Sequence, residues 1–309
     1  MAVTAADQEA ILRLVNFRTG SEIQDSIDPL RYSVPTGDCR RNGASPLATP
    51  AENTIAINRT LKANRGGVAY LDSADARGTY LIDSNLHVPN CTTFRYGPGV
   101  TLKLAPNRQF VSTGMIDVRG RHGVRIEAYG CLDGNAAENP GGRVFGIAVD
   151  GSTNVMIDGG GTGSVINCPA QDDTGINGGD GIYVGGNGTR VVTVRDILLA
   201  NNVRQGLSVT DCIDFTAYNV RAINTSGNNP GAGIDIEADI AGRIRGVRLI
   251  NCILENNFRG LQIADAIDVL VSGLIINGSR ERDIFVVRSQ PKIYATMADP
   301  AKVEGVTLL

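Results

Sequence analysis

The sequence predicts an all-β fold, a right-handed parallel β-helix: a solenoid closed at its N-terminal end by one capping helix. Three observations predict it. A glycine followed by alternating apolar positions recurs along the chain, a strong helix start stands just ahead of the first strands, and bulky rings are scarce, with no Trp and 5% aromatics in 309 residues. Globular cores are normally anchored by rings. This chain has to build its core from Val, Ile and Leu stacked in a regular way.

Residues 4–16 read as a short helix with Ala10, Ile11, Leu14 and Val15 on its apolar side, and residues 17–48 as a polar, turn-rich linker or extended arm. Residues 1–48 are therefore expected to form an N-terminal helix and arm for attachment or trimer contact, and residues 49–309 the β-helix domain. Thr49-Pro50-Ala51-Glu52 is a helix start in which Thr49 caps, Pro50 fits the first turn and Glu52 completes a capping box. The helix is expected over 50–64, ending near Gly66-Gly67. Short strands follow at 68–71, 78–82 and 101–104, each bounded by turn residues.

From residue 114 the repeat takes over. Gly114, Gly146, Gly181, Gly206, Gly233 and Gly260 each open an alternating apolar segment, at spacings of 32, 35, 25, 27 and 27. Several repeats carry a second strand, at 191–194, 213–216 and 247–250. Periods of this size signal a solenoid, and strand-rich repeats without helical periodicity point to coils stacked at about 4.8 Å. A single coil cannot offset the entropy of ordering itself, so stacking must supply the burial and the ladder hydrogen bonds. Parity aims Ile182, Val184, Leu207, Val209, Ile234, Ile236, Leu261 and Ile263 inward, and Tyr183, Ser208, Asp235 and Gln262 outward, one above another. Asn201-Asn202, Asn228-Asn229 and Asn256-Asn257 recur ahead of repeat glycines and read as turn and ladder residues.

Composition excludes several functions. A net charge of -3 argues against an electrostatically driven nucleic-acid binder. No run approaches the ~18 apolar residues of a membrane span. The six cysteines include no CxxC pair, so they read as free, buried thiols rather than zinc or redox sites. No cofactor or metal is expected. The first residues lack the basic and apolar regions of a signal peptide, which fits synthesis in a reducing cytosol; an extracellular protein with its signal removed is the alternative.

Residues 43–104 resemble the opening of the pectate-lyase-like right-handed β-helix superfamily as found in phage tailspikes. The features that carry the likeness are Asn42-Gly43-Ala44, the helix at 50–64, Gly66-Gly67-Val68-Ala69-Tyr70-Leu71, Gly78-Thr79-Tyr80-Leu81-Ile82 and the step Val88-Pro89-Asn90-Cys91-Thr92-Thr93. The segments 202–209, 227–230 and 233–237 fit the same group, so the resemblance covers about 42–290. The polygalacturonase-type motifs are absent as such, and no pectate-lyase-type calcium site can be assigned. The resemblance implies a trimeric protein that binds or cleaves a polysaccharide. It would reside in the virion tail, made in the host cytoplasm, with bacterial surface polysaccharide as partner and with residues 1–48 available to other tail proteins.

Asp235 and Glu237 are the candidate catalytic pair. An i,i+2 pair on one strand is about 6.6–6.8 Å apart, within the range of the acid and base of an inverting glycosidase. Mutual repulsion raises the pKa of one of them. The alternative is a solvated face in which Arg243 and Arg245 are ordinary ion-pair partners. Asp180 is a third candidate carboxylate, with Arg204 one coil on as a grip for an acidic sugar, or the two form a salt bridge between coils. Asp172 and Asp173 lie on an inserted segment, 169–179, that can wall a binding site, and Tyr183 can stack on a sugar ring. Asp211 and Asp239 flank the same surface. His87 and His122 fall in early strands and read as structural, and Gly159 through Gly163 as a turn. These residues support a polysaccharide-cleaving hydrolase first, a non-enzymatic adhesive spike second, and a secreted lyase or epimerase third.

Overall fold

The computed structural model describes residues 34–307 except 73, 109–110, 171–177 and 226. The helix expected at 4–16, and Asp172 and Asp173, lie outside the described residues. The chain is a right-handed parallel β-helix built from three parallel sheets. The first sheet has nine strands, from Val68–Leu71 to Lys292–Tyr294, and the second has eight, from Gly78–Ile82 to Ile275–Asn277. The third has nine, from Leu86–His87 to Val303–Glu304. In the regular part each coil gives one strand to each sheet in turn, as Arg190–Arg195, Leu198–Ala200 and Gln205–Val209 do. The expected strand pairs are present, with wider limits. The second sheet is the addition. Most of its strands have only three residues, too few to show a period of two.

The inward aliphatics sit where parity put them: Ile182, Val184, Leu207, Val209, Ile234, Ile236, Leu261 and Ile263 are all fully buried. The helix spans Pro50–Ala63 (α1) and carries the capping box, with the Glu52 amide donating to Thr49 Oγ1 and Glu52 Oε2 accepting from the Thr49 amide. Its Ile57 and Leu61 seal the first coil, whereas Ile55 faces solvent. Residues 34–48, the described part of the expected arm, dock beside it: Cys39 is fully buried and Asn42 Nδ2 donates to Thr60 Oγ1 at 2.8 Å. At the other end Val303 and Val306 pack against the core. Among the described residues no helix is long and apolar enough to cross a membrane. The cysteines are free, but only Cys39, Cys168, Cys212 and Cys252 are buried; Cys91 is exposed and Cys131 intermediate.

The repeat glycine is required by space. A Cβ on Gly146 would meet the Gly181 carbonyl oxygen at 2.5 Å, one on Gly181 the Gly206 oxygen at 2.7 Å, and one on Gly206 the Gly233 oxygen at 2.5 Å. Each would also strike a side chain beneath, as with Ala222 Cβ at 2.9 Å from Gly206.

The turns repeat as strictly. Asn167, Asn201, Asn224 and Asn256 all adopt left-handed backbone, φ 54–57°, after the second sheet, and Asn224 Nδ2 donates to Asn201 Oδ1 at 3.1 Å. The next residue turns in: Asn202 Oδ1 accepts from the Cys168 amide at 3.1 Å, and Asn257 Oδ1 from the Thr225 amide at 2.9 Å. In the intervening coil Asn224-Thr225, and not the expected Asn228-Asn229, occupies this position. The insertion before Gly233 displaces the second pair into the following turn.

A second left-handed column runs through the first sheet at one register: Gly123, Asn154, Val191, Asp214, Gly246 and Asp268. Val191 is the β-branched member, at φ 55° and 46% exposed. Left-handed backbone costs such a residue about 1–2 kcal/mol. Val191→Asn, the choice made at Asn154, should therefore stabilise the protein by about 1 kcal/mol. Gly206→Ala should destabilise it by about 1–3 kcal/mol. Denaturant unfolding of both variants beside the wild type checks these values.

Candidate functional site

The described candidates Asp180, Tyr183, Arg204, Asp235 and Glu237 lie on or beside strands of the third sheet. The register Ala148–Tyr183–Ser208–Asp235–Gln262–Phe285 makes one outward column across six coils. Sequence parity gave its direction correctly, but not its environment. Asp235 is only 2% exposed, and Ser208 and Gln262 are also buried, so these positions form a closed polar layer and not the solvated face weighed as the alternative. Polar groups removed from water need partners, and two relays provide them.

In the first relay Arg204 Nη1 donates to Gln205 Oε1 at 2.9 Å, and Gln205 Nε2 donates to Asp235 Oδ2. In the second, Arg259 Nη1 donates to Gln262 Oε1 at 2.5 Å, and Gln262 Nε2 donates to Glu237 Oε2 at 2.9 Å. Each acid of the Asp235/Glu237 pair is thus held by a glutamine amide, itself held by an arginine. Gln205 and Arg259 were missed as site residues. Their sequence signal is faint: Arg204-Gln205-Gly206 and Arg259-Gly260-Leu261-Gln262 place the same two residue types around two repeat glycines.

The two acids differ in surroundings. Glu237 is exposed. Asp235 is enclosed, and burial, then the neighbouring Glu237 charge, push its carboxyl well above the usual carboxylate range. Among the described residues Asp235 Oδ1 has no hydrogen-bond partner. Oδ2 accepts from Gln205, so when the acid is protonated its proton belongs on Oδ1.

Asp180 is fully buried and paired with Arg204, whose Nη1 lies 3.3 Å from Oδ2. The salt bridge weighed for these two residues is present. Burial still pushes the Asp180 carboxyl up to about 7 against the opposing pull of Arg204. Tyr183 is half-buried, stacked on Phe145 at 4.6 Å between ring centres, with its hydroxyl 3.1 Å from Thr210 Oγ1. Arg243, expected beside Asp235 and Glu237, pairs with Asp211 at 3.0 Å instead. His87 lies at the capping end with Nδ1 3.3 Å from Asp117 Oδ2.

No protein-family model matches the chain, and no curated protein matches it. Solved structures do. One is the A-module of the mannuronan C-5 epimerase AlgE6 of Azotobacter vinelandii, at 17% identity over 87% of this chain and 78% of that one, TM-score 0.53. Another is the pre-mature gene product 12 of bacteriophage phi29, at 11% identity over 92% of this chain and 44% of that one, TM-score 0.53. A third is the enzymatically active domain of tailspike protein 2 of bacteriophage CBA120, at 12% identity over 88% and 42%, TM-score 0.47. The likeness is one of fold: this chain shares the parallel β-helix with these structures.

Asp180 gives a pH signature. Between the ordinary 3.8 and about 7 the folded chain keeps a proton that the unfolded chain has released. Its contribution to stability is therefore full below about pH 3.8 and is lost as pH rises through about 7. Asp180→Asn should flatten that part of the stability profile. Unfolding midpoints at about pH 4 and about pH 8 should lie closer together in the variant than in the wild type.

Proposed function

We propose that this protein is a tailspike-like virion component that binds a bacterial surface polysaccharide along the outer column of the third sheet and hydrolyses it. Asp235 is the general acid and Glu237 the general base. The observation that carries this reading is the unlike environment of two carboxyls two residues apart. One is enclosed, has its carboxyl pushed well above the usual range by burial and, among the described residues, has an oxygen with no partner; the other is exposed. Environments that push the pKa values of paired carboxyls apart assign the acid and the base. On this reading the Asp235 proton goes to the glycosidic oxygen of the leaving sugar, while Glu237 takes a proton from the attacking water.

Arg204 acts here as a positioning residue, through Gln205, and Asp180 anchors Arg204. Tyr183, backed by Phe145, offers a sugar contact two rungs from Asp235 in the column. Asp172 and Asp173 are assigned to the binding wall on sequence grounds alone. The same reading makes the working form a homotrimer attached to other tail proteins through residues 1–48.

A second reading, binding without cleavage, is favoured by the near-complete enclosure of Asp235, since a general acid must touch its substrate. One experiment separates the two. The protein is incubated with a panel of bacterial surface polysaccharides, and new reducing ends and ultraviolet absorbance are followed. Hydrolysis gives reducing ends without absorbance, lysis gives both, and adhesion gives neither. Asp235→Asn and Glu237→Gln should each lower cleavage about 10²–10⁴-fold while polymer binding persists. The amide mimics the protonated acid, so Asp235→Asn should change stability by no more than about 1 kcal/mol. Normal cleavage by both variants would remove the pair from the mechanism.

A further inference from the structure

We propose that the cavity between α1 and the first coils is a binding site for an oxyanion, a carboxylate or phosphate, carried by a saccharide. The cavity has a volume of about 420 Å³ and is lined by Asn58, Lys62, Arg65, His87, Asn90 and Arg121. Its cations come from separate places. Lys62 is in the last turn of α1, Arg65 follows the helix, and Arg121 sits between the strands Val111–Arg119 and His122–Ala128.

Among the described residues none of Lys62, Arg65 and Arg121 has a carboxylate partner. Many arginines elsewhere are paired, as Arg95 is with Glu127, Arg195 with Asp158, Arg221 with Glu255, Arg259 with Glu281 and Arg288 with Asp265; what sets this group apart is that three cations without a carboxylate partner line one cavity. The nearby acid, Asp117, is taken up by His87. Like charges gathered at one cavity repel, and a bound anion relieves that repulsion. Lys62 also offsets the helix dipole, which favours cations in a last turn. That does not account for Arg121, which arrives from a different coil.

The neutral groups are suited to the task. Asn58 is fixed, its Nδ2 donating to the Asn85 carbonyl at 2.8 Å and its Oδ1 accepting from the His87 amide at 2.8 Å. Asn90 Oδ1 accepts from the His122 amide at 3.2 Å, which leaves Nδ2 as a donor beside the cations. Two guanidinium groups match carboxylate and phosphate equally, because both anions accept paired N–H donors. The saccharide assignment comes from register. His87, Asp117, Ala148, Tyr183, Ser208 and Asp235 share one outward column, so the cavity stands five rungs, about 24 Å, from Asp235 on the same face. The anion site itself does not depend on cleavage at that pair.

Calorimetric titration of the full chain at low salt tests it, with glucuronate, glucose 6-phosphate, inorganic phosphate and glucose as probes. At least one acidic sugar should bind at least tenfold more tightly than either glucose or inorganic phosphate. Arg121→Gln and Lys62→Gln should each weaken that binding about tenfold, the scale of a charge-assisted hydrogen bond, with wild-type melting curves. Absence of binding by both acidic sugars overturns the proposal. So does unchanged affinity in the well-folded Lys62→Gln and Arg121→Gln variants. Equal affinity for glucose overturns the anion, and equal affinity for inorganic phosphate the saccharide. Neither substitution touches Asp235 or Glu237, so failure here and failure of the hydrolysis reading are separate results.

Discussion

The stack depends on one contact made again in coil after coil: a repeat glycine lying directly against the backbone carbonyl of the next. With oxygens 2.5–2.7 Å from where a Cβ would stand on Gly146, Gly181 and Gly206, no other residue fits without moving the neighbouring coil. Close approach at this corner lets the strands of the third sheet lie in register. Register in turn stacks aliphatics on aliphatics inside and polar groups on polar groups outside. The core holds few rings, with Tyr80, Phe94, Tyr96 and Phe215 fully buried, and otherwise Ile, Val and Leu are packed above and below by their counterparts, so that dispersion is gained along the axis.

The same register explains why a polar outer face can be closed to water at tolerable cost. A buried carboxyl without partners is costly. Here neighbouring coils supply amides at the matching height, so Gln205 reaches Asp235 from one rung away and Gln262 reaches Glu237 in the same manner. Arginines complete both relays from the sheet margin. Among the described residues the exceptions on this sheet are spread out: Asp235 Oδ1 lacks a partner, and so do Asp117 Oδ1, four rungs away in the same column, and Asp283 Oδ1 on the strand Arg282–Val287.

Much of this was legible in the sequence, and the limits are physical. Alternation in segments such as Gly181-Ile182-Tyr183-Val184 shows parity, so the inward set was readable residue by residue. The second sheet was not, because a strand such as Leu198–Ala200 is shorter than any detectable period. The direction of Asp235 followed from parity, but its enclosure did not, since burial on an outer face is decided by segments distant in sequence. The pairing of Asp180 with Arg204 was weighed from their places around two successive glycines and is met in the structure. The role of Gln205 was hidden, because an uncharged amide beside a glycine looks like any turn residue. The Asn228-Asn229 pair misled for the opposite reason: it imitates the ladder pairs but stands after an insertion.

A backbone with a fixed rise is also a gauge. Positions along the outer column are separated by whole numbers of rungs, and no side-chain change alters that interval. Adding or losing one complete coil would lengthen or shorten the face by a single quantum of about 4.8 Å and leave the chemistry at either end intact. In a lineage of such chains, the distance between two ligand-facing clusters would evolve in steps rather than continuously.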